Sequence, residues 1–202
     1  MIRIVDYGLG NIQAFQNVYR RLNILAERAR TASELRDADK IILPGVGAFD
    51  HAMELLDASG MRATLDEMVL ERRVPVLGVC VGIQILARGS DEGQAQGLGW
   101  IPGRVKAFKS LQRNDLMLPH MGWNDATPTA PSPLWRQLES ARFYFLHSYY
   151  FDCERLEDVV AVSHYGIDFA CAVSAGNVHG VQFHPEKSHH FGAQLLKNFA
   201  EF

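Results

Sequence analysis

The run Leu77-Gly78-Val79-Cys80-Val81-Gly82-Ile83-Gln84 carries an apolar strand straight into a cysteine and out again as helix. Residues 75–80 read as a buried strand, and helix-like sequence resumes at once with Ile83, Gln84, Ile85 and Leu86. Glycines stand two before and two after Cys80, as a tight strand-to-helix turn needs, because a Cβ beside it would clash. Gly-x-Cys-x-Gly in this setting has the form of a nucleophile elbow with Cys in place of Ser. A thiol there faces a helix N-terminus, whose macrodipole and free N–H groups favour an anion. The N–H of Val81 points where an oxyanion would form. A buried structural cysteine is the alternative for such a pattern taken alone. Cys153 and Cys171 have no comparable setting.

Working outward, residues 3–6 read as a strand, and Asn11 can cap a helix running to about Leu22. Residues 40–43 form a second strand-like run stopped by Pro44-Gly45, and residues 62–72 a helical stretch leading to the elbow strand. Strands alternating with helices predict an α/β fold with a mainly parallel sheet. The second half is richer in strands, at 104–108, 143–150, 159–163, 169–174 and 178–184, and closes on a helix at 193–199. Residues 127–133 are a Pro-punctuated connection rather than a domain linker. With no internal repeat, the chain reads as one domain over 1–202.

The composition agrees. The 202 residues are 48% hydrophobic, 21% charged and 10% aromatic, enough for a packed core and incompatible with intrinsic disorder. Twenty Lys and Arg against 23 Asp and Glu leave a net charge of −3, which argues against bulk nucleic-acid binding. The longest uncharged apolar run, 74–87, has 14 residues with a Pro and two Gly, short of the roughly 18 a spanning helix needs. Arg3 and Asp6 interrupt any signal core. Three cysteines, odd in number and far apart, fit free thiols, so the expectation is a soluble cytosolic chain. The basic residues Arg104, Lys106, Lys109 and Arg113 read as a solvated face.

A catalytic cysteine wants a histidine, and that histidine wants an orienting acceptor. Of eight histidines, His184 ends an apolar run and is followed by Pro185-Glu186. In extended chain, residues two apart share a side, so Glu186 can reach the His184 ring. Cys80 and His184 both close predicted strands, at the edge where open α/β sheets place their ligand sites. If those strands run parallel, residues far apart in sequence come into contact. A satisfied core histidine, or a metal site of His184, Glu186, His189 and His190, are the alternatives.

At these residues the sequence resembles the class I, triad-type glutamine amidotransferases. The class signature is the elbow together with His184-Pro185-Glu186. Within the class it is similar to the glutaminase subunits of imidazole glycerol phosphate synthase. That match rests on Asp6-Tyr7-Gly8-Leu9-Gly10-Asn11, Pro44-Gly45-Val46-Gly47-Ala48-Phe49, Pro119-His120-Met121-Gly122-Trp123-Asn124 and Phe143-Tyr144-Phe145-Leu146-His147-Ser148-Tyr149-Tyr150. Gly180-Val181-Gln182-Phe183-His184-Pro185-Glu186-Lys187-Ser188 completes it. The resemblance implies one type-1 amidotransferase domain of three layers around a central, mainly parallel mixed sheet.

It also implies roles. Cys80 would attack the glutamine side-chain amide, and His184, held by Glu186, would protonate the departing ammonia and then activate water against the thioester. The N–H groups of Val81 and Val46 would form the oxyanion hole, with the loop at 44–47 acting as a switch set when the partner binds its ligand. Gly47, Gln84, Glu92, Ser148 and Tyr149 would bind the glutamine head group. Ammonia would pass to a (β/α)8-barrel cyclase in a heterodimer that makes imidazole glycerol phosphate and AICAR in histidine biosynthesis. Asn11, Trp123, Tyr144 and Lys187 match positions near that interface. No cofactor, metal, nucleic acid or membrane is implied. His189-His190-Phe191 departs from the small or flexible residues usual after Lys187-Ser188. Two other readings stand: a paralogue feeding ammonia to a sugar amidotransferase in surface-polysaccharide synthesis, and a catalytically silent binding or regulatory module.

Overall fold

A computed structural model describes residues 1–111 and 115–202. The chain begins with β1 (Ile2–Val5), α1 (Ile12–Arg21), β2 (Ala26–Ala29), α2 (Ala32–Leu35) and β3 (Lys40–Gly45). Then come α3 (Phe49–Ala58), α4 (Arg62–Asp66), β4 (Val76–Cys80), the single turn α5 (Val81–Gln84) and β5 (Gly103–Ala107). The rest is β6 (His120–Asp125), β7 (Thr127–Pro128), β8 (Arg142–His147), β9 (Tyr149–Cys153), β10 (Val159–Tyr165), β11 (Ile167–Ala175), β12 (Val178–Val181) and α6 (His189–Glu201).

The main sheet runs β2-β1-β3-β4-β12-β11-β10-β7, with β9 and β5 branching from β11. Its first five strands are parallel and the remainder antiparallel. The chain moves from β1 out to β2 and then back across β1 to β3. Right-handed crossovers therefore put α1 and α2 on opposite faces. α6 packs with α1 on one face, and α2 packs with α4 on the other. This gives the expected three layers, and it explains why every residue of β4 is buried. β6 and β8 form a separate antiparallel ribbon. Among the described residues, no helix is long and apolar enough to cross a membrane.

α1 starts and stops where its sequence directs. The Asn11 Oδ1 accepts the Ala14 N–H at 3.1 Å, Ile12, Phe15, Val18 and Tyr19 face inward, and Arg20 and Arg21 occupy the last turn. The stretch at 62–72 is helical throughout but widens after Asp66, so that the Arg72 N–H bonds to the Glu67 carbonyl.

Several boundaries differ from expectation. Pro44 and Gly45 do not stop β3; they pair with Val79 and Cys80. The Ile41 N–H points toward the β4 side, donating to the Pro75 carbonyl, so alternate residues, Pro44 among them, face β1. There the ladder has already ended at Ile42, and the missing proline N–H costs nothing. The run at 143–150 is two strands broken at Ser148, because the chain leaves β6 as its partner and takes β5. The strand expected to reach His184 ends at Val181, and the last helix begins at His189 rather than 193. The connection at 127–133 contributes the edge strand β7. Of the basic residues, Arg104 pairs with Asp91 and Lys106 with Asp152; Arg113 lies outside the described residues.

Candidate active site

The elbow forms as the sequence predicts. Cys80 ends β4 at φ +56°, ψ −112°, a conformation an L-residue holds only when its surroundings impose it. The surroundings do so by backbone contact. A Cβ on Gly78 would lie 2.6 Å from the Gly82 carbonyl oxygen, and one on Gly82 would overlap the Leu43 carbonyl oxygen. α5 is only one turn long, so what it offers the site is its first N–H groups rather than an extended macrodipole. Cys80 is buried, its sulfur 3.9 Å from the Leu146 carbonyl oxygen. Burial pushes the Cys153 thiol up to about 12, and the Cys171 thiol is raised as well. Neither is placed to react.

β12 runs parallel to β4 with Val181 opposite Val79, which brings His184 to Cys80 as the parallel pairing required. The His184 ring lines the same cavity as Cys80 and, through Nδ1, meets the Glu186 Oε1 at 2.8 Å. Its backbone is held from β8: the His184 N–H donates to the Tyr144 carbonyl at 2.9 Å. The buried Ser188 hydroxyl donates to the His184 carbonyl at 2.6 Å and accepts the Tyr144 N–H at 2.9 Å. Burial opposes charge on the ring, but Cys80 and Glu186 outweigh it and push His184 up to about 10. The side chain of Glu186 is only 3% exposed, and its Oε2 has no donor among the described residues.

A cavity of about 270 Å³ opens over this pair. Val46, Gly47 and Val81 line it beside Cys80 and His184, with Gln84, Glu92, Ser148 and Tyr149 around them. Every residue expected to bind the head group therefore lines the one cavity. Gly47 holds φ +90° with open space where a Cβ would be, so packing does not resist a peptide flip there. Gln84 is buried and donates to the Gln182 Oε1 at 3.2 Å. Glu92 also braces the wall itself, because its Oε2 accepts the Phe49 N–H at 2.8 Å, at the first turn of α3. Burial and the nearby Glu92 and Asp91 carboxylates raise the Tyr149 phenol.

Of the expected interface residues, Trp123 and Tyr144 are cross-strand partners on the ribbon, their rings 6.5 Å apart. The Lys187 Nζ sits 5.9 Å from the Tyr144 ring centroid, and Lys187 also lines the cavity. Asn11 uses its side-chain oxygen to cap α1. His189 does not join His184 and Glu186 as a ligand set; it stacks on Trp123, 5.3 Å between centroids and 3° from parallel. Among the described residues no three His, Cys, Asp or Glu side chains gather as metal ligands.

Two residues of the site give no individual signal in the sequence, although both sit inside the motifs that carry the family resemblance. The Tyr7 hydroxyl donates to the Pro44 carbonyl at 2.8 Å and anchors the base of the loop carrying Val46. His147 lines the cavity and is buried.

Comparison with known proteins agrees with this geometry. Residues 4–201 match the family model described as glutamine amidotransferase class-I. A Bdellovibrio bacteriovorus protein named imidazole glycerol phosphate synthase subunit HisH is 59% identical over 203 residues, covering 100% of both chains. The Leptospira interrogans protein of the same name is 52% identical, covering 99% of each. A crystal structure of a glutamine amidotransferase superposes with a TM-score of 0.78 at 22% identity over 99% of this chain and 97% of that one. Strand order, elbow, matched domain and full-length identity converge: this chain belongs to the class-I glutamine amidotransferases, among the HisH subunits of imidazole glycerol phosphate synthase.

Proposed function

We propose that the chain is the glutaminase subunit of an imidazole glycerol phosphate synthase, releasing ammonia from glutamine by a Cys80–His184–Glu186 triad. The observation that carries this is one arrangement: Glu186 Oε1 lies 2.8 Å from His184 Nδ1, and His184 and Cys80 line the same cavity from the ends of paired parallel strands.

Glutamine enters with its head group among Gly47, Gln84, Glu92, Ser148 and Tyr149. The Glu92 carboxylate is an acceptor for the substrate ammonium, and backbone N–H groups are donors for its carboxylate. The Cys80 sulfur adds to the amide carbon, and the oxygen takes up negative charge that the N–H groups of Val81 and Val46 accept. His184 delivers its proton to the nitrogen, the C–N bond breaks, and ammonia leaves a glutamyl thioester. His184, now neutral and still held by Glu186, takes a proton from water as the water attacks the thioester, releasing glutamate and freeing Cys80.

The partner is a (β/α)8-barrel cyclase subunit. Strand alternation supports the ribbon as its docking face: Met121, Trp123, Tyr144 and Leu146 project from one side, and Met121, Trp123 and Leu146 are exposed. An apolar stripe of this kind marks a contact surface, and Lys187 joins it to the cavity.

The test is glutamate release by the chain alone, with the cyclase, and with the cyclase plus its nucleotide substrate. Low activity that rises steeply only in the full mixture is the expected result. No stimulation, with Cys80 still labelled by a glutamine-analogue electrophile, would transfer the ammonia to a sugar amidotransferase. No labelling even with the partner present would mean a silent module.

A further inference from the structure

His120 and His147 face each other across the ribbon, His120 Nδ1 lying 2.9 Å from His147 Nε2. His147 Nδ1 lies 2.7 Å from the Tyr149 carbonyl oxygen. At the far end, His120 Nε2 is 3.1 Å from Asn124 Nδ2, which is also 2.9 Å from the His164 carbonyl oxygen. Only one distribution of protons satisfies this line. A carbonyl accepts and cannot donate, so His147 carries its proton on Nδ1 and accepts at Nε2. His120 must then donate from Nδ1 and accept at its own Nε2. The Asn124 amide is fixed to match, because its Oδ1 accepts the Asp125 N–H at 2.8 Å and leaves Nδ2 as the donor. Every bond runs one way, from the outer end of the ribbon toward the cavity.

The rings are held so that their edges meet. His120 is stacked between Phe145, at 4.8 Å, and Tyr165, at 4.1 Å. Burial keeps both rings neutral, pushing His120 down to about 4 and His147 to about 3. At the inner end Tyr149 opens β9 opposite Ala107, and its carbonyl also accepts from the Gln84 Nε2 at 3.4 Å; at the break just before it the Ser148 carbonyl is held by the Phe108 N–H at 3.1 Å. The side chain of His147 thus ties the end of β8 to the first residue of β9 across the break at Ser148, in the wall of the cavity.

We propose that Asn124, His120 and His147 are positioning residues for the glutamine head group: their one-way line of hydrogen bonds fixes the turn at Ser148 and Tyr149, setting affinity for glutamine rather than the reactivity of Cys80. This rests on the assignment of Ser148 and Tyr149 to the glutamine subsite. The line and the apolar docking stripe occupy opposite faces of the same two strands, so the subsite is tied to the surface a partner would press.

The experiment uses the full chain assembled with the cyclase subunit. It measures KM and kcat for glutamine alongside the rate at which iodoacetamide, which needs no head-group site, alkylates Cys80. His120→Phe keeps a stacked ring but cannot donate, and should raise KM roughly tenfold with kcat and alkylation nearly unchanged. His120→Asn returns an N–H close to the Nδ1 position and should bring KM back to within about threefold of the wild type. Asn124→Leu, at the half-buried outer end, should raise KM roughly threefold, and it decides the matter if His120→Phe fails to assemble. An unchanged KM in Asn124→Leu and His120→Phe overturns the proposal, as does His120→Asn being as impaired as His120→Phe, or slowed alkylation. A wild-type complex that releases no glutamate would instead sink the glutaminase reading itself.

Discussion

His184 and His147 line one cavity from different elements, both buried, and their protons are held in opposite senses. His184 is pushed up to about 10 and His147 down to about 3. Burial acts against charge on both rings. His184 meets a buried carboxylate at 2.8 Å, whereas His147 meets a carbonyl and a second neutral ring. Partners, not depth, decide which ring keeps its proton. The same contrast runs through the backbone. The elbow after β4 is packed until glycine hydrogens touch carbonyls, while the β6–β8 ribbon is a two-stranded piece apart from the main sheet with one face open. Cys80 sits on the tightly packed wall, while Ser148 and Tyr149 follow directly from the open ribbon.

The sharpest break of that comparison removes the nucleophile. Cys80→Ala should abolish glutamine turnover by roughly 10⁴-fold or more, while the assembled complex still uses added ammonia, because the ribbon and its docking face are untouched. Steady-state assays with each nitrogen source check this. Loss of both activities in an intact complex would mean that the two walls are not separable.

Backbone tolerance gives a second, smaller effect. At Gly82 a Cβ would overlap the Leu43 carbonyl, whereas at Gly122, on β6, nothing lies within 4 Å and only φ +126° resists a side chain. Gly82→Ala should cost about 3 kcal/mol or more, lowering Tm by roughly 6–12 °C. Gly122→Ala should cost about 1 kcal/mol. Thermal melts of the two variants at one pH decide it, and equal losses would refute the picture of one tight and one open wall.

What could be read from the sequence follows the same division. The elbow, the His184–Glu186 pair and the α1 cap were legible because each is a local pattern: glycines at fixed offsets, residues two apart in extended chain, Asn before an amphipathic stretch. α3 was not legible because its cap is tertiary. Ala48 precedes it with no side-chain bond, and the Phe49 N–H is satisfied by Glu92, 43 residues on. β2 carries Glu27 and Arg28 and reads as polar until Arg3, on β1, is seen to pair with Glu27 at 2.6 Å. The break at Ser148 was invisible because Phe143 to Tyr150 is one uninterrupted strand-forming run. Only the exchange of partners divides it. The line through His120 and His147 joins residues 27 apart, with no periodicity to announce it.

The smallest expected effect separates the two histidine environments by pH. His184 has a folded pKa raised above its ordinary 6.5, so the stability it contributes is fully present below about 6.5 and is lost as pH rises through about 10. His120 and His147 have folded values pushed down, so the unfolded chain takes up protons first and stability falls as pH drops below about 6.5. Glu186→Gln should therefore narrow its stability gap to the wild type on the alkaline side and leave the acid side unchanged. His120→Phe should do the reverse, losing about 1–2 kcal/mol less than the wild type between pH 7 and pH 5. Denaturant melts across pH 5 to 10 distinguish the two slopes. If His120→Phe were as acid-sensitive as the wild type, the ribbon histidines would not be neutral in the folded state, and the one-way line of donors that depends on their neutrality could not form.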